Sequence, residues 1–195
     1  MEAIPLSPTF DVSEEELSRA RFYRLLSRLL GAPADEELLL FLRSLKGDDS
    51  PLGQGLAALS EVADRLSVEE VAQEFHDLFI GITHGELLPY GSHYLTGFLN
   101  EKPLADLRDA MSELGIARSE ASSEPEDHIA SLFEVMHGMI LGDYGKPVSL
   151  ADQFKFFKGH VETWSIKFFK KALSLNNNIE TIFLMSDVNN QIISS

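Results

Sequence analysis

Apolar residues recur at spacings of three and four along almost the whole chain, and this helical period limits the fold more than any other feature. The clearest stripe consists of Phe22, Leu25, Leu26, Leu29 and Leu30. Such a stripe is typical of a helix with one buried face. There is no alternating apolar run of useful length and no repeat of fixed period. The sequence therefore predicts an all-α protein, a helical bundle of two packed lobes with a loop-rich middle.

Helix starts are marked by capping signals. In a capping box, a serine and a glutamate three residues later exchange hydrogen bonds with each other's backbone. Three pairs have this spacing: Ser13 with Glu16, Ser67 with Glu70, and Ser123 with Glu126. Further starts are predicted at Asp35, Pro51, Pro103 and Ser149. Most of the predicted helices therefore carry a start signal.

The glycines and prolines between residues 80 and 100 predict a loop with short turns in the middle of the chain. This aromatic loop belongs to an N-terminal helical part, residues 1–115. A C-terminal helical part, residues 116–195, is predicted to start at a hinge around the sequence EPEDH. We expect the two parts to form one compact unit.

The charge of the chain is strongly acidic: 16 basic and 31 acidic residues give a net charge of −15. A field of this sign repels nucleic acid and anionic lipid and attracts basic peptides, although solubility alone also explains it. The chain has no cysteine, which excludes disulfides and thiolate metal ligands. The longest apolar run, residues 38–42, is too short to span a bilayer. With no secretory signal pattern either, these features favour a cytoplasmic protein without integral membrane association.

Signatures of catalysis are few. The nucleotide-binding patterns GxxxxGK[ST] and GxGxxG are absent, as are HExxH and the GxSxG elbow. Glu134 and His137 form one ExxH unit, whereas di-iron bundles need two such units and two further glutamates. No catalytic or metal-binding residue is therefore predicted. A metal-dependent helical-bundle enzyme using Glu134 and His137 is the alternative from another functional class, and a general helix-binding adaptor is a third.

Two stretches look suited to recognition: EFHDLFIGITHGELLPYGSHY, from Glu74 to Tyr94, and EPEDH, residues 124–128. A loop with two tyrosines and a proline offers flat apolar area with polar groups, which suits peptide binding, although packing on the helices explains it equally well. Asp127 is predicted just inside a helix N-terminus, where the dipole favours an anion. Neither Tyr90 nor Asp127 lies on a core stripe, so replacing either is expected to leave folding intact.

These motifs resemble those of the TorD/DmsD group of redox-enzyme maturation chaperones. The resemblance runs from about residue 14 to residue 170. It rests on Phe75-x-x-Leu78-Phe79, on Pro89-Tyr90-x-Ser92-x-Tyr94 and, most specifically, on Glu124-Pro125-x-Asp127-His128. The chain departs from the group after residue 176, where the asparagine-rich tail is unlike the group's last helix.

The resemblance implies a cytoplasmic chaperone rather than an enzyme. Its partners would be the twin-arginine signal peptide and the catalytic subunit of a molybdopterin-containing oxidoreductase, held back from export until the cofactor is inserted. Members of the group occur as monomers or homodimers, and some bind guanine nucleotides. No cofactor is expected otherwise. The resemblance places the peptide-binding surface on Leu78, Phe79, Pro89, Tyr90, Ser92, Tyr94, Glu124, Pro125, Asp127 and His128.

Overall fold

The computed structural model of the protein describes residues 11–81, 86–117 and 124–175, and these residues contain helices, turns and one isolated backbone bridge. The all-α prediction is confirmed. Two α-helices continue into π-helical turns, α4 at His76–Ile80 and α8 at Phe157–Glu162. The α-helices are α1 (Glu14–Gly31), α2 (Glu36–Arg43), α3 (Pro51–Arg65), α4 (Val68–Phe75), α5 (Gly91–Thr96), α6 (Lys102–Glu113), α7 (Ile129–Leu141), α8 (Leu150–Phe156) and α9 (Thr163–Ser174).

Two of the three predicted capping boxes are present. The Ser13 hydroxyl accepts from the Glu16 amide at 3.2 Å, and the Glu16 carboxylate accepts from the Ser13 amide at 3.3 Å. Ser67 and Glu70 make the same exchange at the start of α4. Asp35, Ser50 and Ser149 each cap a helix by side-chain acceptance. The observed hydrogen bonds confirm these predicted starts. Capping can be predicted from the sequence because it depends only on residues within one turn.

The third capping box, assigned to Ser123 and Glu126, is wrong. The helix begins at Ile129, and its N-cap is His128, whose Nδ1 accepts from the Ala130 amide at 3.1 Å. Ser123 lies outside the described residues, and Glu126 binds an arginine on α6. Asp127 and His128 therefore precede the helix rather than lying inside it. His128 is extended and is held by backbone pairing with the segment before α5, whereas Asp127 lies in the turn that the His128 amide closes on the Pro125 carbonyl.

The core is built around α7, which packs most extensively against α1. Tyr23 of α1 stacks on Phe133 of α7 with ring centroids 5.8 Å apart. Helix α7 is apolar on nearly all sides, and a helix of this kind is typical of the centre of a fold. No helix in the described part of the chain is long and apolar enough to cross a bilayer. The buried residues of α7 are Ile129, Ala130, Leu132, Phe133, Val135, Met136, Gly138, Met139 and Ile140.

The predicted loop at residues 80–100 contains a short helix, α5, which the prediction missed. Its first residue, Gly91, was interpreted as a helix breaker. A Cβ added at Gly91 would lie 2.8 Å from the Trp164 indole Nε1. The glycine therefore permits close packing of α5 on α9 rather than a turn. The predicted tail at residues 176–195 lies outside the described residues.

Candidate functional site

The two motifs, separated by some thirty residues of chain, lie side by side. Tyr90 and His128 form an isolated antiparallel bridge. The Gly91 amide donates to the Asp127 carbonyl at 2.9 Å, and the Ile129 amide donates to the Pro89 carbonyl at 2.9 Å. These two hydrogen bonds place the start of α5 against the start of α7. The tertiary fold thus brings into contact two motifs that the sequence shows only as separate segments.

Asp127 is the buried centre of this junction, with 4% of its surface exposed. Its Oδ2 accepts from the Ser92 amide at 2.7 Å. Because α5 is only six residues long, its free N-terminal amides need an acceptor from elsewhere in the chain. Asp127 supplies that acceptor. It is therefore part of the folded framework, and its burial and hydrogen bond lead us to expect that its loss lowers stability, contrary to the expectation from the sequence.

Tyr90 lies at the edge of the junction and is partly exposed. Its hydroxyl donates to Glu124 Oε2 at 2.6 Å, so the first and the second motif also meet through side chains. Burial and then the hydrogen bond to Glu124 raise the pKa of Tyr90 well above its usual value. The phenol stays protonated and keeps donating to the carboxylate.

His128 is buried beneath Tyr90, with the two rings edge to face and their centroids 5.3 Å apart. Burial lowers the pKa of His128 below its ordinary value, so the imidazole is neutral at pH 7. Because Nδ1 accepts from the Ala130 amide, the proton resides on Nε2. The ring therefore has one N–H donor, on the nitrogen that does not cap α7.

Arg108 of α6 was missed by sequence reasoning. Its guanidinium donates from Nε and Nη2 to the two carboxylate oxygens of Glu126, at 3.0 and 2.8 Å. The Glu126 side chain is nearly buried, whereas that of Arg108 is half exposed. The pair ties α6 to the segment before α7. No local pattern signals it, because the partners lie 18 residues apart in different elements.

Replacing Arg108 with alanine is expected to lower the free energy of unfolding by about 1–2 kcal/mol, because a buried carboxylate loses two charge-assisted hydrogen bonds. Urea denaturation measures the loss. Adding Glu126→Gln to Arg108→Ala should recover part of it, since the double variant no longer buries a charge. A single variant with wild-type stability would contradict a stabilising role for this pair.

The remaining predicted site residues divide by exposure. Leu78, Pro89 and Ser92 are buried, and the Leu78 carbonyl accepts from the Leu87 amide at 2.8 Å. The partly exposed ones are Phe79, Tyr94 and Pro125, and Glu124 is exposed. Phe79 packs on Phe75 with centroids 4.8 Å apart, and Tyr94 stacks on Trp164 at 5.5 Å. Much of the motif is thus framework, and its accessible part is small.

A cleft of about 190 Å³ opens beside the junction, between α5, α6 and the start of α9. Its walls include the motif residues Ser92 and Asp127. On α6 it is lined by Pro103, Asp106 and Leu107, which share one helix face through their spacing of three and four. The full lining is Gly91, Ser92, Leu95, Pro103, Asp106, Leu107, Asp127, Gly159, His160 and Trp164.

The ExxH unit on α7 has a structural role. Glu134 accepts from Arg24 and, at 3.2 Å, from Ser27, both on α1. His137 Nδ1 lies 2.9 Å from the Ala20 carbonyl, also on α1. Both side chains therefore serve the α1–α7 interface. Among the described residues, no group of three or more His, Cys, Asp or Glu side chains is arranged to hold a metal ion.

Comparison with known proteins identifies the class. The TorD chaperone of Vibrio atlanticus is 27% identical over 197 residues, with 90% of each chain covered. The TorD chaperone of Aliivibrio fischeri is 33% identical over 139 residues, covering 63% of this chain and 64% of the relative. A solved structure described as a redox enzyme maturation protein, from Archaeoglobus fulgidus, has a TM-score of 0.59 at 19% identity, covering 98% of this chain and 100% of its own, and shows the same fold.

The curated relatives are chaperones, so these similarities define a chaperone and not an enzyme. The family model described as nitrate reductase delta subunit matches residues 45–170, well over half of the chain, and the chain belongs to that family. The resemblance to the TorD/DmsD group is thereby confirmed. The alternative of a metal-dependent enzyme is wrong, because the relatives are chaperones and Glu134 and His137 pack between two helices.

Proposed function

We propose that the protein is a cytoplasmic chaperone for a molybdopterin-containing oxidoreductase. It binds the enzyme's twin-arginine signal peptide, its immature catalytic subunit, or both, aids cofactor insertion and prevents premature export. It acts as a monomer or a homodimer. The carrying observation is the junction of the two motifs, with Tyr90 and Glu124 accessible at its edge and an acidic cleft beside it.

The charge of the protein supports a basic peptide as the ligand. The net charge is −15, and the cleft beside the motif junction is lined by the carboxylates of Asp106 and Asp127. A twin-arginine signal has a basic segment followed by an apolar one. Negative potential favours approach of the first segment, and partly exposed aromatic side chains suit contact with the second.

The decisive experiment is calorimetric titration with a synthetic peptide that has two adjacent arginines followed by about 12 alanine and leucine residues. We expect saturable binding, weakened at least about tenfold when both arginines are replaced by glutamine, since each charge-assisted contact contributes about 1.5–3 kcal/mol. Equal binding of both peptides would instead favour a general adaptor for apolar helices. No binding of either peptide would contradict recognition of the signal.

Salt separates steering from contact. The association rate of the arginine peptide is expected to fall as ionic strength rises, while its dissociation rate changes less, because long-range attraction acts on the encounter. Stopped-flow fluorescence with a labelled peptide measures both rates. The glutamine peptide is the matched control and should show a weaker salt dependence. If the association rate of the arginine peptide is independent of salt, electrostatic attraction does not contribute to recognition.

A further inference from the structure

The cleft beside the motif junction combines an apolar wall with buried and exposed carboxylates. Leu95, Pro103, Leu107 and Trp164 provide the apolar wall. Its volume of about 190 Å³ has room for one long side chain but not for a helix, whose diameter is about 10–12 Å. An apolar wall with charge at its edge matches a side chain that has an apolar stem and a charged head.

Asp127 directs unused acceptor capacity at this cleft. It is 4% exposed and lines the cleft, and Oδ2 takes the Ser92 amide. Within residues 11–81, 86–117 and 124–175, Oδ1 receives no hydrogen-bond donor. The nearby guanidinium of Arg108 is engaged by Glu126. A carboxylate oxygen that no protein donor occupies can accept a charge-assisted hydrogen bond from a cationic ligand.

Asp106 provides the second carboxylate that lines the cleft, and it lies on α6. It pairs with Lys102 at 3.0 Å, but both side chains are largely exposed, and exposed i, i+4 pairs of this kind contribute little to stability. An incoming cation can therefore displace Lys102 at little cost. The cleft's own basic group, His160, has its pKa lowered by burial and is neutral at pH 7. The cleft thus presents net negative charge to a ligand.

An apolar ledge continues from the cleft at the last turn of α5 and along the chain that follows it. It consists of Leu95, Phe98 and Leu99, which are 43%, 69% and 46% exposed. Leu95 belongs to both the cleft and the ledge. Large apolar side chains grouped this way on a surface are typical of a contact site. Along this surface, a cleft suited to a cationic side chain is followed by an apolar ledge. A peptide with a basic residue followed by apolar residues has the matching order.

We propose that the cleft between α5, α6 and α9 binds one arginine side chain of the twin-arginine signal, and that the ledge covers the apolar residues that follow it. This inference rests on the proposed function and names its recognition site. Asp127 Oδ1 and Asp106 accept from the guanidinium fork, which addresses two acceptors at once, unlike the point charge of lysine. Asp106 is then a specificity residue outside both sequence motifs.

The test is a double-mutant cycle between Asp106→Asn and the arginines of the synthetic peptide, each replaced in turn by glutamine. Asp109→Asn is the matched control, because it removes the same charge from the same helix at an exposed position that does not line the cleft. We expect Asp106→Asn to weaken binding of the arginine peptide about 5- to 30-fold, and Asp109→Asn to weaken it less than about twofold. Neither change should alter the melting temperature, since both carboxylates are exposed.

Coupling decides the result. When the arginine that enters the cleft is replaced by glutamine, Asp106→Asn should have almost no further effect on the affinity. When the other arginine is replaced, the effects of the two substitutions on the affinity should be additive. The Phe98→Ser variant should bind a peptide with an apolar segment more weakly than the wild type does. For a peptide whose apolar segment is replaced by serine, the difference between variant and wild type should be smaller. Additivity at both arginines, or equal effects of Asp106→Asn and Asp109→Asn, would overturn the cleft assignment while leaving peptide binding intact. Failure of the wild type to bind any arginine peptide would instead overturn the proposed function.

Discussion

Replacing Trp164 with alanine is expected to lower the free energy of unfolding by about 3–5 kcal/mol, the usual cost of truncating a buried aromatic side chain. Trp164 is 1% exposed and stacks on Tyr94, with Phe168 at 6.1 Å on its edge. Its indole also donates to the His160 carbonyl at 2.8 Å. The side chain therefore anchors α5, and with it the motif junction, to α9. Chemical denaturation followed by circular dichroism measures the loss.

The matched control is Trp164→Phe, which keeps an aromatic ring but removes the indole hydrogen bond and some volume. We expect it to cost about 1–2 kcal/mol. Trp164 also lines the cleft, and a phenylalanine ring keeps an apolar wall there, so peptide binding should weaken only slightly in Trp164→Phe at temperatures well below melting. If Trp164→Ala melts like the wild type, the aromatic stack does not hold α5 in place, and the site must be ordered by other contacts.

Replacing Asp127 with alanine is expected to lower the free energy of unfolding by about 2–3 kcal/mol and to weaken peptide binding as well. The Ser92 amide loses a charged acceptor in a buried position, and such a loss costs more than a surface contact does. Asp127→Asn keeps an oxygen for that amide, so it should recover much of the stability but not the affinity for the arginine peptide. A thermal melt and a titration of both variants separate the two roles.

Tyr90 provides the contrast within the same junction. Because its ring is partly exposed, Tyr90→Ala is expected to weaken peptide binding about 5- to 100-fold, the range of an interface anchor, with a small change in melting temperature. Tyr90→Phe removes only the hydrogen bond to Glu124. If Tyr90→Ala binds normally while Asp127→Ala melts early, the motifs are framework and the ligand contacts lie elsewhere.

These variants matter because motif residues in this chain do two jobs. The carbonyls of Pro89 and Asp127 accept backbone hydrogen bonds that join the starts of α5 and α7, and the Asp127 carboxylate accepts from the Ser92 amide. Tyr90 and Glu124 lie where a ligand can reach them. A binding assay on its own would count both groups as ligand contacts. Stability measured beside affinity distinguishes the residues that form the site from those that touch a partner.

The sequence by itself determined the helices and most of their starts. Ser13, Asp35, Ser67 and Ser149 cap their helices as predicted, and α3 begins at the predicted Pro51 with Ser50 as its cap. Capping and amphipathic period are local, because the partners lie within one or two turns. The class of protein was readable for a related reason, since the two motifs keep their residue types and spacing within continuous segments. Their resemblance to a chaperone group needed no knowledge of the packing.

Only the tertiary structure decided what the motif residues contact. The start of α7 moved from the predicted box at Glu126 to His128, because backbone pairing with Pro89 and Gly91 competes with helix formation there. Gly91, interpreted as a breaker, is the first residue of α5, and glycine is required there because Trp164 leaves no space for a Cβ. Burial of Asp127 and the cleft that it shares with Asp106 depend on partners 21 or more residues away. Interactions of that range leave no periodic trace in a sequence, since their energy comes from packing and desolvation that exist only in the folded chain.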